Sequence, residues 1–204
     1  MKKKGLLVVV SGPSGAGKGT ICKNFMELNK EMLLSISSTT RNPRENEIDG
    51  VNYNFITKQD FEDLIGTDSL LEYVHVFGNY YGTPKKWVLE CIEKGKDVLL
   101  EIEIVGAMKV KEKYPDAILV FVLPPSLKEL KNRIITRGTE TIEQIENRMA
   151  RAMQEIKTIE KYDYFIFNDN LTRAVDDLEA IISAEKNKVK RYSQEIVKIY
   201  EEEL

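Results

Sequence analysis

Residues 12 to 20 read Gly12-Pro13-Ser14-Gly15-Ala16-Gly17-Lys18-Gly19-Thr20 and follow directly on the apolar run Leu6-Leu7-Val8-Val9-Val10. Residues of these types at this spacing serve to hold phosphate. Phosphate oxygens are densely negative, so a chain that wraps them turns backbone N–H groups inward, uses glycine where a side chain would block approach, and supplies a lysine to the outer phosphates. Gly12, Gly15, Gly17 and Lys18 meet those needs in the order G-x-x-x-x-G-K. A glycine turn alone carries little, because many loops use glycine for positive φ; the strand before it and the helix after it make the reading specific. Where a Ser or Thr commonly follows the lysine and helps to hold Mg²⁺, this chain has Gly19, with Thr20 one place later. Direct metal ligation from the loop is therefore not expected.

Further groups have the right chemistry for anions. Ser35-Ile36-Ser37-Ser38-Thr39-Thr40-Arg41-Asn42-Pro43-Arg44 sets hydroxyls beside two arginines separated by a proline turn, and fixed guanidinium forks suit a phosphate monoester. Taken alone, the same residues equally describe a solvated polar loop. Asp49-Gly50-Val51-Asn52-Tyr53 and Gly78-Asn79-Tyr80-Tyr81-Gly82-Thr83 supply phenols and turn glycines, which fit either ligand contacts or the inside of a hairpin. Arg133, Arg137, Arg148 and Arg151 recur in one stretch, with Gly138-Thr139 between the two pairs, and Arg133 and Arg137 share a helix face at i, i+4. His75, the only histidine, stands beside Val74 and Val76 in a strand pattern and reads as structural or surface; Trp87 heads a helix and is expected to pack, and Lys85 and Lys86 read as solvated.

The elements that must position these groups alternate. Strands are expected at 6–10, 33–36, 98–104, 117–123 and 164–168, and helices at 18–29, 85–94, 106–113 and 126–137, the last with a capping box from Ser126 and Glu129. One long helix is expected from about 171, with Ile181, Ile182, Val189, Ile196 and Ile199 on its apolar side. This βα alternation predicts an α/β fold, a parallel sheet flanked by helices on both faces. Two stretches break the pattern. Residues 35–84 mix short strands (53–56 and 70–76) with a helix capped by Thr57 and Asp60 and look like a small inserted α+β lobe; residues 126–158 form an arginine-bearing helical lid.

The 204 residues, 42% of them hydrophobic, can bury a core of one domain with mobile inserts. Against 33 acidic residues stand 30 basic ones, so the net charge of -3 offers no global field for nucleic acid and an anion site must be built locally. Cys22 and Cys91 are too few for a disulfide framework or a four-thiolate zinc site and fit a reduced, cytoplasmic setting. The basic opening Met1-Lys2-Lys3-Lys4 leads into an apolar run too short for a membrane span and unlike a signal peptide. Neither the C-terminal helix nor the sheet edge carries a patch that decides the oligomeric state.

In order and spacing, the glycine loop, S-I-S-S-T-T-R-N-P-R, D-G-V-N-Y, L-L-E-Y, G-N-Y-Y-G-T, the E-I-E strand, P-P-S, R-G-T and Y-D-Y…N-D resemble the guanylate kinases over about residues 4 to 185. The resemblance implies a P-loop core (1–34, 85–125 and 159–204), a GMP-binding lobe (35–84) and a lid (126–158), and transfer of the γ-phosphoryl of ATP to GMP to give ADP and GDP. It sets the loop from Gly12 to Thr20 around the ATP phosphates with Lys18 on the outer ones, the acceptor phosphate against Arg41 and Arg44, and the phenols of Tyr53 and Tyr81 beside it. Glu72 falls where the family reads the base. A guanine edge offers two donors, N1–H and the amino group, and one carboxylate can accept both. Ser37 and Thr83 match hydroxyl positions around the base, and Glu101 an acidic position of the same site. Arg133, Arg137 and Arg148 match the family's lid arginines; Arg151 has no counterpart and reads as surface. Mg²⁺ is expected, held mostly by phosphates and water, with Glu103, on the same strand face as Glu101, as a direct or water-mediated contact where the family usually has aspartate. The alternative is a non-catalytic guanylate-kinase-like module that holds phosphorylated protein segments; such modules typically lose the lysine or glycines that this chain keeps. No nucleic-acid or membrane partner is implied.

Overall fold

The computed structural model describes residues 4–76, 78–136 and 142–203. β1 (Leu7–Ser11) is buried along its whole length, as a central strand covered on both faces must be. Through the glycine loop it enters α1 (Lys18–Leu28), followed by β2 (Leu33–Leu34). β3 (Ser38–Thr39), β4 (Asn54–Phe55), α2 (Lys58–Gly66), β5 (Leu70–Val76) and β6 (Asn79–Pro84) come next. The chain returns to the core with α3 (Lys85–Glu93), β7 (Val98–Glu101), α4 (Ile104–Lys113) and β8 (Ile118–Leu123). It then runs through α5 (Leu127–Thr136), α6 (Ile142–Ile156), β9 (Tyr164–Phe167), α7 (Leu171–Lys186) and α8 (Ser193–Glu201).

The core sheet is parallel in the order β2-β7-β1-β8-β9. Side-chain alternation divides its faces. Val8, Val10, Val120, Val122 and Ile166 pack with Ile21 and Phe25 of α1 and Ala174, Leu178 and Ile182 of α7. Leu7, Val9, Val98, Leu100 and Leu119 pack with Val88 of α3 and Ala107 and Val110 of α4. Such burial, at about 25 cal/mol per Å² of apolar surface, dominates the stability of the core and fixes the register of β1. The loop after β1 therefore leaves the carboxyl edge of the sheet, where open α/β sheets bind ligands.

A second sheet, β4-β3-β6-β5, lies wholly within residues 38–84 and is antiparallel except for the β3–β4 pair. Its helix α2 starts on the anticipated capping box, the Thr57 hydroxyl accepting from Asp60 N–H while the Asp60 carboxylate accepts from Thr57 N–H. Phe61 of α2 is fully buried and stacks on Tyr80 at 5.1 Å. α5 and α6 share a small apolar seam of Leu130, Ile134, Ile145 and Ala152.

Five expectations need correction. β7 stops at Glu101 rather than 104, because the chain turns there into α4 with Glu103 as its N-cap; Glu101 and Glu103 are not two residues of one strand. The C-terminal helix breaks after Lys186, so Val189, Ile196 and Ile199 are exposed rather than core. Trp87 is exposed as well, α3 turning Val88 inward instead. At the start of α5 the Ser126 hydroxyl accepts from Glu129 N–H as expected, but the Glu129 carboxylate is drawn to Arg133 Nε at 3.0 Å, an i, i+4 ion pair in place of the reciprocal cap. Lys85, read as solvated, pairs with Asp68. Among the described residues no helix is long and apolar enough to cross a membrane.

Candidate active site

A cleft of about 330 Å³ lies between the core sheet's carboxyl edge, the second sheet and α6. Its first wall is the glycine loop, where Gly12, Gly15 and Gly17 all have positive φ. Two of these positions also lack room. A Cβ on Gly12 would stand 2.3 Å from Val122 O, and one on Gly17 2.2 Å from Asn168 Nδ2. Lys18 Nζ donates to the carbonyls of Gly12 at 2.7 Å and Pro13 at 3.2 Å, which holds the ammonium across the loop. Behind the loop, Asn168 Nδ2 donates to Ala16 O at 2.8 Å, and Arg133 donates to Ala16 O at 3.3 Å and to Asn168 O at 3.0 Å. The loop is thus fastened beside β9 and to α5, and it leads into the positive end of α1.

Beside the loop, at the end of β7, the Glu101 carboxylate reaches the first turn of α1. A Cβ on Gly19 would sit 3.2 Å from its oxygen, so a larger residue after the lysine would crowd it. Burial raises the pKa of Glu101 and the Lys18 ammonium opposes that rise. Glu103 faces Arg151 of α6, whose Nη2 lies 3.3 Å from Glu103 Oε2 while its Nε donates to Glu155 at 2.7 Å. Arg148, one turn earlier on α6, also faces the cleft.

The far wall comes from the second sheet. Arg41 donates to Glu47 at 2.8 Å and to Asn42 O at 2.6 Å, and Glu47 accepts from Arg44 N–H at 2.8 Å. One carboxylate thereby holds the Arg41 guanidinium and the backbone of Arg44; burial works against its charge, but the Arg44 N–H and Arg41 guanidinium hold its pKa below the usual range. Tyr53 lies edge-on to Tyr81 at 6.0 Å, and burial pushes the Tyr53 phenol up to about 12, which keeps it a neutral donor. Deeper still, Glu72 is only 3% exposed, and its Oε1 accepts from the buried Thr83 hydroxyl at 2.8 Å. Burial pushes its carboxyl up to about 7, with the Thr83 hydrogen bond and the charge of Lys109 pulling the other way.

Ser14, Gly15, Gly17, Lys18, Gly19, Thr20, Ser37, Arg41, Arg44, Tyr53, Glu72, Tyr81, Glu101, Glu103 and Arg148 all line this one cleft. Gly12, Pro13, Ala16 and Thr83 stand behind its wall, as does Arg133, expected as a lid arginine, whose guanidinium is spent on the loop, Asn168 and Glu129. Arg137 lies outside the described residues. Sequence reasoning missed Glu47, Asn168, Glu155 and the cleft position of Arg151. The i, i+4 spacing of Arg151 and Glu155 is a signal for the last pair; nothing local announces Asn168, whose partner is 152 residues away.

Chemically, the cleft offers two cationic anion sites, a buried acceptor pair in its far wall and further acidic side chains. A parallel-sheet core with a strand–glycine loop–helix and an inserted lobe bearing a second anion site defines a P-loop kinase that acts on a small phosphate ester. The family model for guanylate kinase matches residues 4–185. A guanylate kinase of Clostridioides difficile is 57% identical over 202 residues, covering 99% of this chain and 98% of its own, and one of Caldanaerobacter subterraneus is 52% identical over the same length and coverage. The crystal structure of guanylate kinase from Anaplasma phagocytophilum superposes with a TM-score of 0.79 at 31% identity, covering 94% of this chain and 91% of that one. The chain belongs to the guanylate kinase family.

Proposed function

We propose that this chain moves the γ-phosphoryl group of ATP onto GMP, giving ADP and GDP. The observation that carries the reading is Glu72, a buried carboxylate with one hydroxyl partner, in the same cleft as a glycine loop and its lysine. A buried acceptor pair rejects bases that bring acceptors instead of donors, because its own polar atoms would go unpaired. Guanine brings N1–H and an amino group to that edge; adenine cannot.

In this reading the loop from Gly12 to Thr20 holds the ATP phosphates and Lys18 follows the β- and γ-oxygens. Arg41, aimed by Glu47, and Arg44 hold the GMP phosphate with Tyr53 and Tyr81. Ser37 and Thr83 complete the base site, and Glu101 borders it. A GMP phosphate oxygen attacks the γ-phosphorus as the bond to the β–γ bridging oxygen breaks, and the converging cations Lys18 and Arg148 offset the charge of two nucleotides brought together. Arg137 joins them, and Arg133 holds the loop in shape. Residues 35–84 and 126–158 act as a mobile acceptor lobe and lid on the remaining core, closing to exclude water and so limit ATP hydrolysis.

The carboxylates of Glu101 and Glu103, which line the same cleft, are hard oxygen donors of the kind that suits Mg²⁺. Glu103 would meet the ion directly or through water, most of its shell coming from nucleotide phosphates and water, and the ion would draw charge from the phosphate oxygens. The setting is the cytoplasm, where Cys22 stays reduced, its thiol pushed well up by burial and so unreactive.

ADP release measured with GMP, AMP, CMP and dTMP as acceptors tests the reading. Turnover with GMP is expected to exceed that with each of the others by at least about 100-fold. Equal rates on all four, or no ADP from any, would overturn it.

A further inference from the structure

Helix α4 carries a buried glycine, Gly106, near its first turn. Glycine is the poorest helix former after proline, and the backbone here is not left-handed, so no conformational demand selects it. Space does. A Cβ at this position would stand 2.4 Å from Glu72 Oε2 and 3.0 Å from its carboxyl carbon, closer than packed atoms approach. Glu72 is buried and its Oε1 is held by Thr83, so the carboxylate cannot swing away into solvent.

The same helix grips the strand on either side of that residue. Lys109 Nζ donates to Tyr73 O at 2.6 Å, and Lys113 Nζ donates to Leu71 O at 3.3 Å, the two carbonyls that flank Glu72. Residues 106, 109 and 113 recur at i, i+3 and i+7 and therefore share one face of α4. The Lys109 ammonium also lies 4.7 Å from the centre of the Tyr73 ring. A core helix thus meets the inserted sheet at the residue that reads the base.

We propose that this face of α4 positions the Glu72 carboxylate, and that Gly106 is a specificity-determining residue for guanine. The inference rests on the reading of Glu72 as acceptor of guanine's N1–H and amino donors. Two hydrogen bonds to one planar edge require both carboxylate oxygens in that plane. A methyl at 106 forces Oε2 outward by roughly 1 Å to reach ordinary contact, enough to lose the second bond while the first survives.

Inosine monophosphate separates the two bonds, since hypoxanthine keeps N1–H but lacks the amino group. Calorimetric titration of the full chain with GMP and with inosine monophosphate is expected to show that wild type prefers GMP and that Gly106→Ala narrows the preference at least about tenfold, with ATP affinity unchanged. In the Glu72→Gln background Gly106→Ala should have no further effect on it, as for residues that act as one unit. A merely structural role would weaken both ligands alike. Should Gly106→Ala fail to fold, Lys109→Met tests the same face without crowding the interior, and a threefold or greater narrowing is expected. If wild type prefers GMP while Gly106→Ala, or Lys109→Met in its place, keeps that preference intact, the inference alone is overturned. A wild-type chain that binds both nucleotides equally would sink the reading of Glu72 and this inference with it.

Discussion

The buried Glu72 carboxyl is held at the expense of stability. Its carboxyl titrates near 4.5 when solvated and is pushed up to about 7 by burial. Below pH 4.5 both folded and unfolded chains are protonated and nothing is lost. As pH rises the unfolded chain ionises first, so the contribution to stability falls between about 4.5 and 7, and above that the deficit is on the order of 3 kcal/mol. Glu72→Gln keeps an acceptor for Thr83 without the buried charge. It is expected to raise Tm at pH 8 by about 6–12 °C and to leave Tm near pH 4.5 almost unchanged, while its affinity for GMP falls. An equal Tm at pH 8, or the same gain at both pH values, would remove the buried charge from the account. At this scale the sequence was legible where type and spacing have few uses, as with the loop glycines and Lys18, whereas the arginine pair at 41 and 44 read equally as a solvated loop until the structure set both on the cleft. Gly106 was not, because its reason is a carboxylate 34 positions away in another sheet.

The glycine loop depends on elements far from it in sequence. The Ala16 carbonyl is met by Asn168, at the end of β9, and by Arg133 of α5. Asn168→Ala removes the shorter of these bonds and leaves an amide oxygen poorly paired in a buried place, at a cost of about 1–3 kcal/mol. A Tm lower by about 2–12 °C and weaker ATP binding are expected, with GMP affinity preserved; calorimetry that finds ATP binding untouched would show that the loop needs no such fastening. Element types followed from pattern wherever burial was two-sided, as in Leu7–Ser11 and Ile118–Leu123, or where a cap was local, as at Thr57. They failed where pattern was silent. The alternation through Glu101-Ile102-Glu103 continues past the strand's last ladder bond, and the break after Lys186 carries neither glycine nor proline. The two-residue strand β3 is too short for periodicity to speak and exists through β6 and β4, whereas β4 falls inside the strand expected at 53–56.

At the scale of the whole molecule, a chain with net charge -3 gathers Lys18, Arg41, Arg44, Arg148 and Arg151 around one cleft. The acids among them, Glu47, Glu103 and Glu155, orient the arginines as much as they neutralise them. The central claim is that this cleft takes two nucleotides at once, end to end, with adenosine on the loop side and guanosine against Glu72. Titration with a two-headed ligand, adenosine and guanosine joined through a chain of phosphates, addresses it directly. One molecule is expected to bind per chain, at least about 100-fold tighter than ATP or GMP alone, as linked sites require. Glu72→Gln and Lys18→Met should each remove most of that gain. Binding no tighter than that of the better single nucleotide, or a gain that survives both substitutions, would contradict the account.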